Sequence, residues 1–478
     1  MSRTANVRPE SDIRRMIGGS FFFGRSREVW TRRIWLALIV GIVLRLVVAF
    51  VMLPDMPQMG DGPAYVRQVQ QVLSGTLDHW YFPPGTALVC LPVISSLGSG
   101  TFAEHVAGSL ISIAFLLSVT WLARSMRLSD PAVFMATALA AIYPHGVLST
   151  VQISSLPLAA MAVSMSVGSA LRALRTPSVL LWGAAAFFCG VAVLTRPGTL
   201  LLAPFMIVLA WVELRDNPQQ IRLVAVAVAA LSVVLSAMTL PVMSFHAERG
   251  HGWTLSTNSE WNLLLANNRY TPDYKTGHFG QRALTDLDPE AESFIRGFFD
   301  GETAESASLT ERTAMLDSAR TFMKEHPIRT LYRATNRIRG FFGCDYTAAR
   351  ELQLVFGYSD VVFGIVMLIE GGAFLLVLFG WLLYVMYRVG TGAGSRLLHL
   401  GVLGVIMAPH VVAFALAKYH LPVVPFLICA TAAAFVTLAE KPLGAKMWLK
   451  ERRKSLIILV VVVAAFQLEH LMHLIILR

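Results

Sequence analysis

Charge is scarce in this sequence: Asp, Glu, Lys and Arg make up 15% of 478 residues, while 55% are hydrophobic. So little charge excludes an ordinary soluble surface, and the apolar residues fall in runs of roughly 20, the length that spans a bilayer core. Acidic residues are the scarcer sign, 30 against 40 Lys and Arg. In a soluble chain the net charge of +10 would point to nucleic acid. Here the basic residues stand at the ends of apolar runs, where they fix orientation, so a nucleic-acid role is excluded. Cysteine is rare too. Cys90, Cys189, Cys344 and Cys429 are widely separated, three of them inside apolar runs, and none has metal-ligand spacing; they read as small core residues. No small-residue cleavage site follows the first apolar run, which is therefore expected to be an uncleaved anchor. Internal repeats are absent as well, which argues against a secondary transporter or lipid flippase.

What remains is an all-α polytopic membrane protein. Residues 1–32 form a basic N-terminus with Arg14, Arg15, Arg25, Arg27, Arg32 and Arg33, assigned to the cytoplasm by the positive-inside rule. Continuing that bookkeeping places spans at 33–53, 102–123, 132–150, 151–171, 179–195, 199–212, 223–245, 361–387, 397–417, 420–438 and 455–468, about eleven in all. The segment 86–98, short and holding Pro92, is read as re-entrant or interfacial. The parts are then an N-terminal membrane module, 33–245, whose first outer loop, 54–101, holds interfacial helices; a larger mixed, helical extracytoplasmic loop region, 246–358; and C-terminal membrane helices, 359–478. His470 and His473, beside Glu469, share a helix face near the end of a plain span and read as interfacial.

The chain is organised around Met59-Gly60-Asp61-Gly62-Pro63. The two glycines let the backbone turn tightly, and Pro63 suits the first turn of a helix with apolar positions at Tyr65, Val66, Val69 and Val72. A carboxylate held there at a membrane surface serves as a general base or ligand, or simply as an N-cap. The same bookkeeping puts Asp61, the run Tyr81-Phe82-Pro83-Pro84-Gly85, Ser154 and Ser155, Arg196-Pro197 and Lys418-Tyr419-His420 on one outer face. Arg196 and Lys418 are the charged residues of their connections, and cations at that depth either snorkel or meet an anion such as a lipid phosphate.

In the long loop, the amide-rich stretch around Asn267, Asn268 and Arg269 favours turns and sugar-like hydrogen bonding. Residues 273–305 read as an acidic surface excursion. Ser308 and Glu311 have capping-box spacing and open a helix that ends before His326-Pro327. Over 328–342, Ile328, Leu331, Thr335, Ile338 and Phe342 share one face and Arg329, Arg333 and Arg337 another, the pattern of a basic helix on a membrane surface. It anchors to headgroups or lines an anionic-lipid site.

These features in this order, Gly-Asp-Gly-x-x-Tyr, x-Pro-Pro-Gly, Leu194-Thr195-Arg196-Pro197, an Asn-Asn loop, Glu325-His326-Pro327 and Lys418-Tyr419-His420-Leu421-Pro422, resemble the C-type (GT-C) membrane glycosyltransferases. The resemblance runs from about residue 33 to 440 and is nearest the group of protein O-mannosyltransferases, lipid A aminoarabinose transferases and bacterial lipopolysaccharide glycosyltransferases. It implies a transferase of the inner membrane, its site facing the outside, moving a sugar from a polyprenyl-phosphate donor such as undecaprenyl phosphate to a hydroxyl acceptor. Asp61 corresponds to the family's first-loop acidic residue, the catalytic base that deprotonates the acceptor hydroxyl. Substrate binding falls to Tyr65, Tyr81, Arg196, Asn267, Arg269, Arg337, Lys418 and His420. Where relatives often carry a second acidic residue, Gln152-Ile153-Ser154-Ser155-Leu156 offers only hydroxyls, so no metal is assigned; a divalent cation lacks paired acids there. A polysaccharide polymerase or ligase on the same carrier, or a lipid-linked-sugar transporter, is the alternative.

Overall fold

A computed structural model describes residues 26–215, 221–274, 284–300, 303–387, 393–413, 415–440 and 450–467. Arg14, Arg15, Arg25, Glu469, His470 and His473 lie outside the described residues. Helices follow the apolar runs because a backbone in lipid must satisfy its own hydrogen bonds. In chain order they are α1 (Arg27–Val47, extended by a wider turn at Val48–Met52), α2 (Gly62–Ser74), α3 (Gly85–Leu97), α4 (Thr101–Ser125), α5 (Asp130–Ile142), α6 (Pro144–Leu148), α7 (Ser155–Ala173), α8 (Val179–Thr195), α9 (Leu202–Leu214) and α10 (Arg222–Glu248). Then come α11 (Ser259–Ala266), α12 (Pro289–Arg296), α13 (Leu309–Glu325), α14 (Pro327–Phe341), α15 (Thr347–Phe356), α16 (Asp360–Tyr387), α17 (Ala393–Val412), α18 (Val424–Glu440) and α19 (Arg453–Phe466). Among the described residues there is no strand.

Among the described residues, seven helices are long and apolar enough to cross a membrane, and shorter apolar helices include α3, α5, α8 and Leu397–Val412. The chain is an all-α polytopic membrane protein. The expected span 132–150 is not one helix: it breaks at Tyr143-Pro144 into α5 and α6, because the residue before a proline is pushed out of the helical region and Tyr143 is extended, φ −62° and ψ 116°.

Burial sorts the spans. In Ser155–Ala173 and Ala417–Glu440, 83% of the apolar window is buried, against 17% in Arg222–Glu248. The first two form the centre of the bundle and the last faces outward. The reason is side-chain size: α7 and α18 are rich in Ala, Ser and Thr, and small residues let helix backbones approach where no hydrophobic effect separates helix from lipid.

The first loop is held by a polar clamp and the long loop by a small apolar core. Gln58 donates from Nε2 to the Val151 carbonyl at 3.0 Å and accepts from the Ile153 amide at 2.7 Å. Gln152 returns the arrangement, donating to the Pro57 carbonyl at 2.8 Å and accepting from the Met59 amide at 2.7 Å. The first loop is thereby held against the start of α7. The stretch 284–300, expected as a surface excursion, instead carries a small core of Leu287, Ala291, Ile295 and Phe299 packed with Leu264, Leu265 and Met315. The capping box of α13 forms as the spacing predicts, Ser308 and Glu311 each bonding the other's amide.

The basic helix α14 is turned the other way from the expectation. Ile328, Leu331 and Tyr332 are exposed at 84%, 68% and 52%, while Arg333 and Arg337 are buried. The arginines point inward because unpaired backbone and carboxylate acceptors wait there. Arg333 donates to Asp273 Oδ1 at 2.7 Å, to the Asn268 carbonyl at 2.9 Å and to the Thr271 carbonyl. Arg337 donates to the Val411, Val412 and Ala266 carbonyls at 3.0, 2.8 and 2.8 Å and to Asn267 Oδ1 at 2.9 Å. These carbonyls are the orphan acceptors at the C-terminal ends of α17 and α11, so Arg337 is a clasp between helix ends rather than a headgroup contact. Burial lowers its guanidinium to about 10, still a cation at neutral pH.

Candidate active site

Asp61 is reached by a turn that only a particular backbone allows. Gly60 sits at φ +56°, a left-handed conformation that disfavours any side chain. Asp61 then occupies the N-cap position of α2, yet its side chain makes no capping bond. The carboxylate is exposed and lines two adjoining cavities.

The larger cavity, about 430 Å³, is bounded by Asp61, Tyr65, Tyr81, Arg196, Trp261 and Tyr419 among others. Its amide side chains are Asn258 and Asn262, and its apolar wall includes Leu265, Ile406 and Pro409. The smaller, about 60 Å³, lies between Asp61, His145, Ser154, Thr347, Glu351 and Lys418. Asp61, Arg196 and Lys418, expected on one face, are thus gathered at one end of the bundle.

Arg196 stands at the break between α8 and the tight turn Pro197–Leu201. Its Nη1 donates to Ser155 Oγ at 3.1 Å, and its guanidinium lies 4.6 Å from the centre of the Tyr419 ring. Behind it the Pro-Pro-Gly motif has a packing reason: a Cβ on Gly85 would meet Thr195 Oγ1 at 2.6 Å and the Leu194 carbonyl carbon at 2.7 Å. Only glycine lets the start of α3 close on the end of α8. Tyr65 is buried, packs on Phe82 at 5.3 Å and meets Ser155 with its hydroxyl. Burial, and then the Asp61 carboxylate, push its phenol well above the ordinary value; burial, Glu305 and Asp61 do the same to Tyr81. Both rings are neutral hydroxyl donors at any physiological pH.

The other expected contacts stand elsewhere. Asn267 is buried, donating to the Leu263 and Val412 carbonyls, each at 3.1 Å, and accepting from Arg337. Arg269 is exposed and lies over the Tyr270 and Phe294 rings. His420 is buried, stacked on Phe374 at 3.6 Å with Nδ1 3.1 Å from the Phe341 carbonyl. Neither cavity is lined by any of these three or by Arg337.

Three carboxylates near the site escaped the sequence reading. Glu351, on the amphipathic helix α15, lines the small cavity, and burial raises its carboxyl above the ordinary value. Asp345 is buried; burial alone would raise it, but His145, whose Nδ1 stands 2.6 Å from Oδ2, holds it well below the carboxylate range. Glu370, on α16, completes the group. The signal is slight: a ten-residue helical pattern at 347–356 near the end of the polar outer region, and one acid in a long apolar run.

No family model matches the chain, and no curated protein matches it by sequence. Among solved structures it is similar to the oligosaccharyltransferase of Archaeoglobus fulgidus in the apo form, at 13% identity and a TM-score of 0.48, covering 93% of this chain and 55% of that one. It is also similar to ArnT of Cupriavidus metallidurans bound to undecaprenyl phosphate, at 15% identity and a TM-score of 0.40, covering 88% of this chain and 80% of that one. The chain therefore spans about half the length of the archaeal enzyme. The role of each residue here rests on the cavities themselves.

Proposed function

We propose that the chain is a glycosyltransferase that moves a sugar from a polyprenyl-phosphate carrier to a hydroxyl acceptor at the outer face of a bacterial cytoplasmic membrane. The observation that carries this reading is the uncapped Asp61 carboxylate shared between a cavity that also holds Arg196 and one that also holds Lys418. Asp61 accepts the proton of the acceptor hydroxyl, whose oxygen attacks the anomeric carbon. The new glycosidic bond forms as the bond from that carbon to the phosphate oxygen breaks. The electron pair leaves with the polyprenyl phosphate, and Arg196 and Lys418 meet the charge it gains. Tyr65, Tyr81, Asn258 and Asn262 supply the neutral donors and acceptors that hold a sugar.

The test is mass spectrometry of cell-surface glycans from a host lacking the protein and complemented with wild type or Asp61→Asn. Restored glycans with wild type and none with an equally expressed, correctly inserted Asp61→Asn are expected. Full restoration by the variant removes Asp61 as the base.

A further inference from the structure

His145, Asp345 and Glu370 come from three separate elements, α6, the turn before α15, and α16, and present ligand atoms that all lie within 4.8 Å of one another. His145 Nδ1 is 2.6 Å from Asp345 Oδ2 and 3.8 Å from Glu370 Oε1. Asp345 is oriented from behind. Its Oδ1 accepts from the Thr347 amide at 3.0 Å and the Thr347 hydroxyl at 2.7 Å, which leaves Oδ2 turned toward His145.

Glu370 is the anomaly. It is 2% exposed, and both its oxygens are buried without a closed hydrogen bond; they face the Ala348 and Ala349 amides at the start of α15 without reaching bonding geometry. A neutral Glu370 would carry a hydroxyl with no acceptor, and a charged one would be a buried anion with no closed hydrogen bond.

We infer that His145, Asp345 and Glu370 bind a first-row divalent cation, with Zn²⁺ or Mn²⁺ chemistry. One imidazole and two carboxylates suit these ions. Ligand bonds of about 2.0–2.2 Å set neighbouring ligand atoms roughly 3.4 Å apart, so binding opens the His145–Asp345 contact slightly and draws Glu370 in. Thr347 is the outer support that aims Asp345. The cation ties α15 to α6 and α16, and so fixes Glu351 at the edge of the small cavity. Its binding does not depend on whether Asp61 acts as a base.

The test uses the full chain in lipid nanodiscs, stripped with chelator, incubated separately with Zn²⁺ and Mn²⁺, desalted, and assayed for metal per chain and for unfolding temperature. About one tightly held equivalent and a raised unfolding temperature are expected for wild type. Glu370→Gln and Asp345→Asn should each bind about tenfold or more weakly. His251→Ala, which breaks the separate, partly exposed Asp78–His79–His251 group, should leave that equivalent in place. Wild type that takes up no equivalent of either ion overturns the assignment, whether or not the variants fold. So does an equivalent that persists in Glu370→Gln and vanishes in His251→Ala.

Discussion

The Arg196 guanidinium lies over the Tyr419 ring, 4.6 Å from its centre, and joins the end of α8 to the turn that carries Lys418. Stacking fixes the plane of a guanidinium that also bonds Ser155, so the cation is oriented before any anion arrives. Arg196→Ala is expected to lower kcat/KM for the phosphate-linked donor by about 100-fold, the scale for removing one preorganised donor from a developing charge. Arg196→Lys should recover only part of this, because an ammonium neither stacks in that way nor presents a fork. Steady-state transfer measured against donor concentration in nanodiscs decides it; unchanged donor dependence in both variants removes Arg196 from the site.

Glu351 gives a way to separate two carboxylates that share one small cavity with Lys418. Asp61 also lines the large cavity and Glu351 does not. Turnover should therefore fall by about 1000-fold in Asp61→Asn, within the range for a lost general base, and by less than about tenfold in Glu351→Gln. Equal losses in both would reassign the base to the pair.

Much of the membrane architecture was legible because it follows from runs of residues. The Ser308–Glu311 capping box and the helix opening at Gly62-Pro63 are local signals, and each forms where the pattern places it; the apolar lengths place the spans too, except 132–150, which breaks at Tyr143-Pro144. Asp61, Arg196 and Lys418 could be grouped since helix ends alternate between two sides. What a one-dimensional pattern cannot carry is which face of a helix meets which acceptor. The arginines of α14 read as a lipid-facing stripe, but Asp273 and the open carbonyls of Ala266, Val411 and Val412 lie on the protein side, and a buried unpaired acceptor outweighs a surface headgroup contact. Glu370 was hidden for the same reason: its partners, His145 and Asp345, come from distant parts of the chain.

Arg337 is predicted to matter for stability rather than for turnover. Its replacement by Ala leaves the Val411, Val412 and Ala266 carbonyls and the Asn267 amide oxygen to find other donors. Loss of a buried charged donor set of this kind costs about 3 kcal/mol or more. Unfolding in detergent should therefore shift clearly downward, while any folded fraction keeps its donor KM. A raised KM with unchanged stability would return Arg337 to the substrate site.

Asp273 accepts from Arg329 at 2.6 Å and from the fully buried Arg333 at 2.7 Å on the same oxygen. Burial alone would raise this carboxyl, but the two arginines together hold it below its ordinary value. The folded state thus binds the proton less readily than the unfolded chain, so the contribution is present above the unfolded-state value of about 3.9 and is lost as pH falls toward the folded-state value. The carboxylate is 37% exposed, and solvent screening reduces what the pair contributes. Arg333, left without its anion, still keeps the Asn268 and Thr271 carbonyls. Asp273→Asn is therefore expected to destabilise by about 2 kcal/mol at pH 7, less than the loss of a fully buried pair. Wild type and variant should converge as the pH is lowered from about 5 toward 3. Denaturation curves for both proteins across that range measure the gap directly, and a gap that stays constant with pH would mean that packing, not the ion pair, accounts for it.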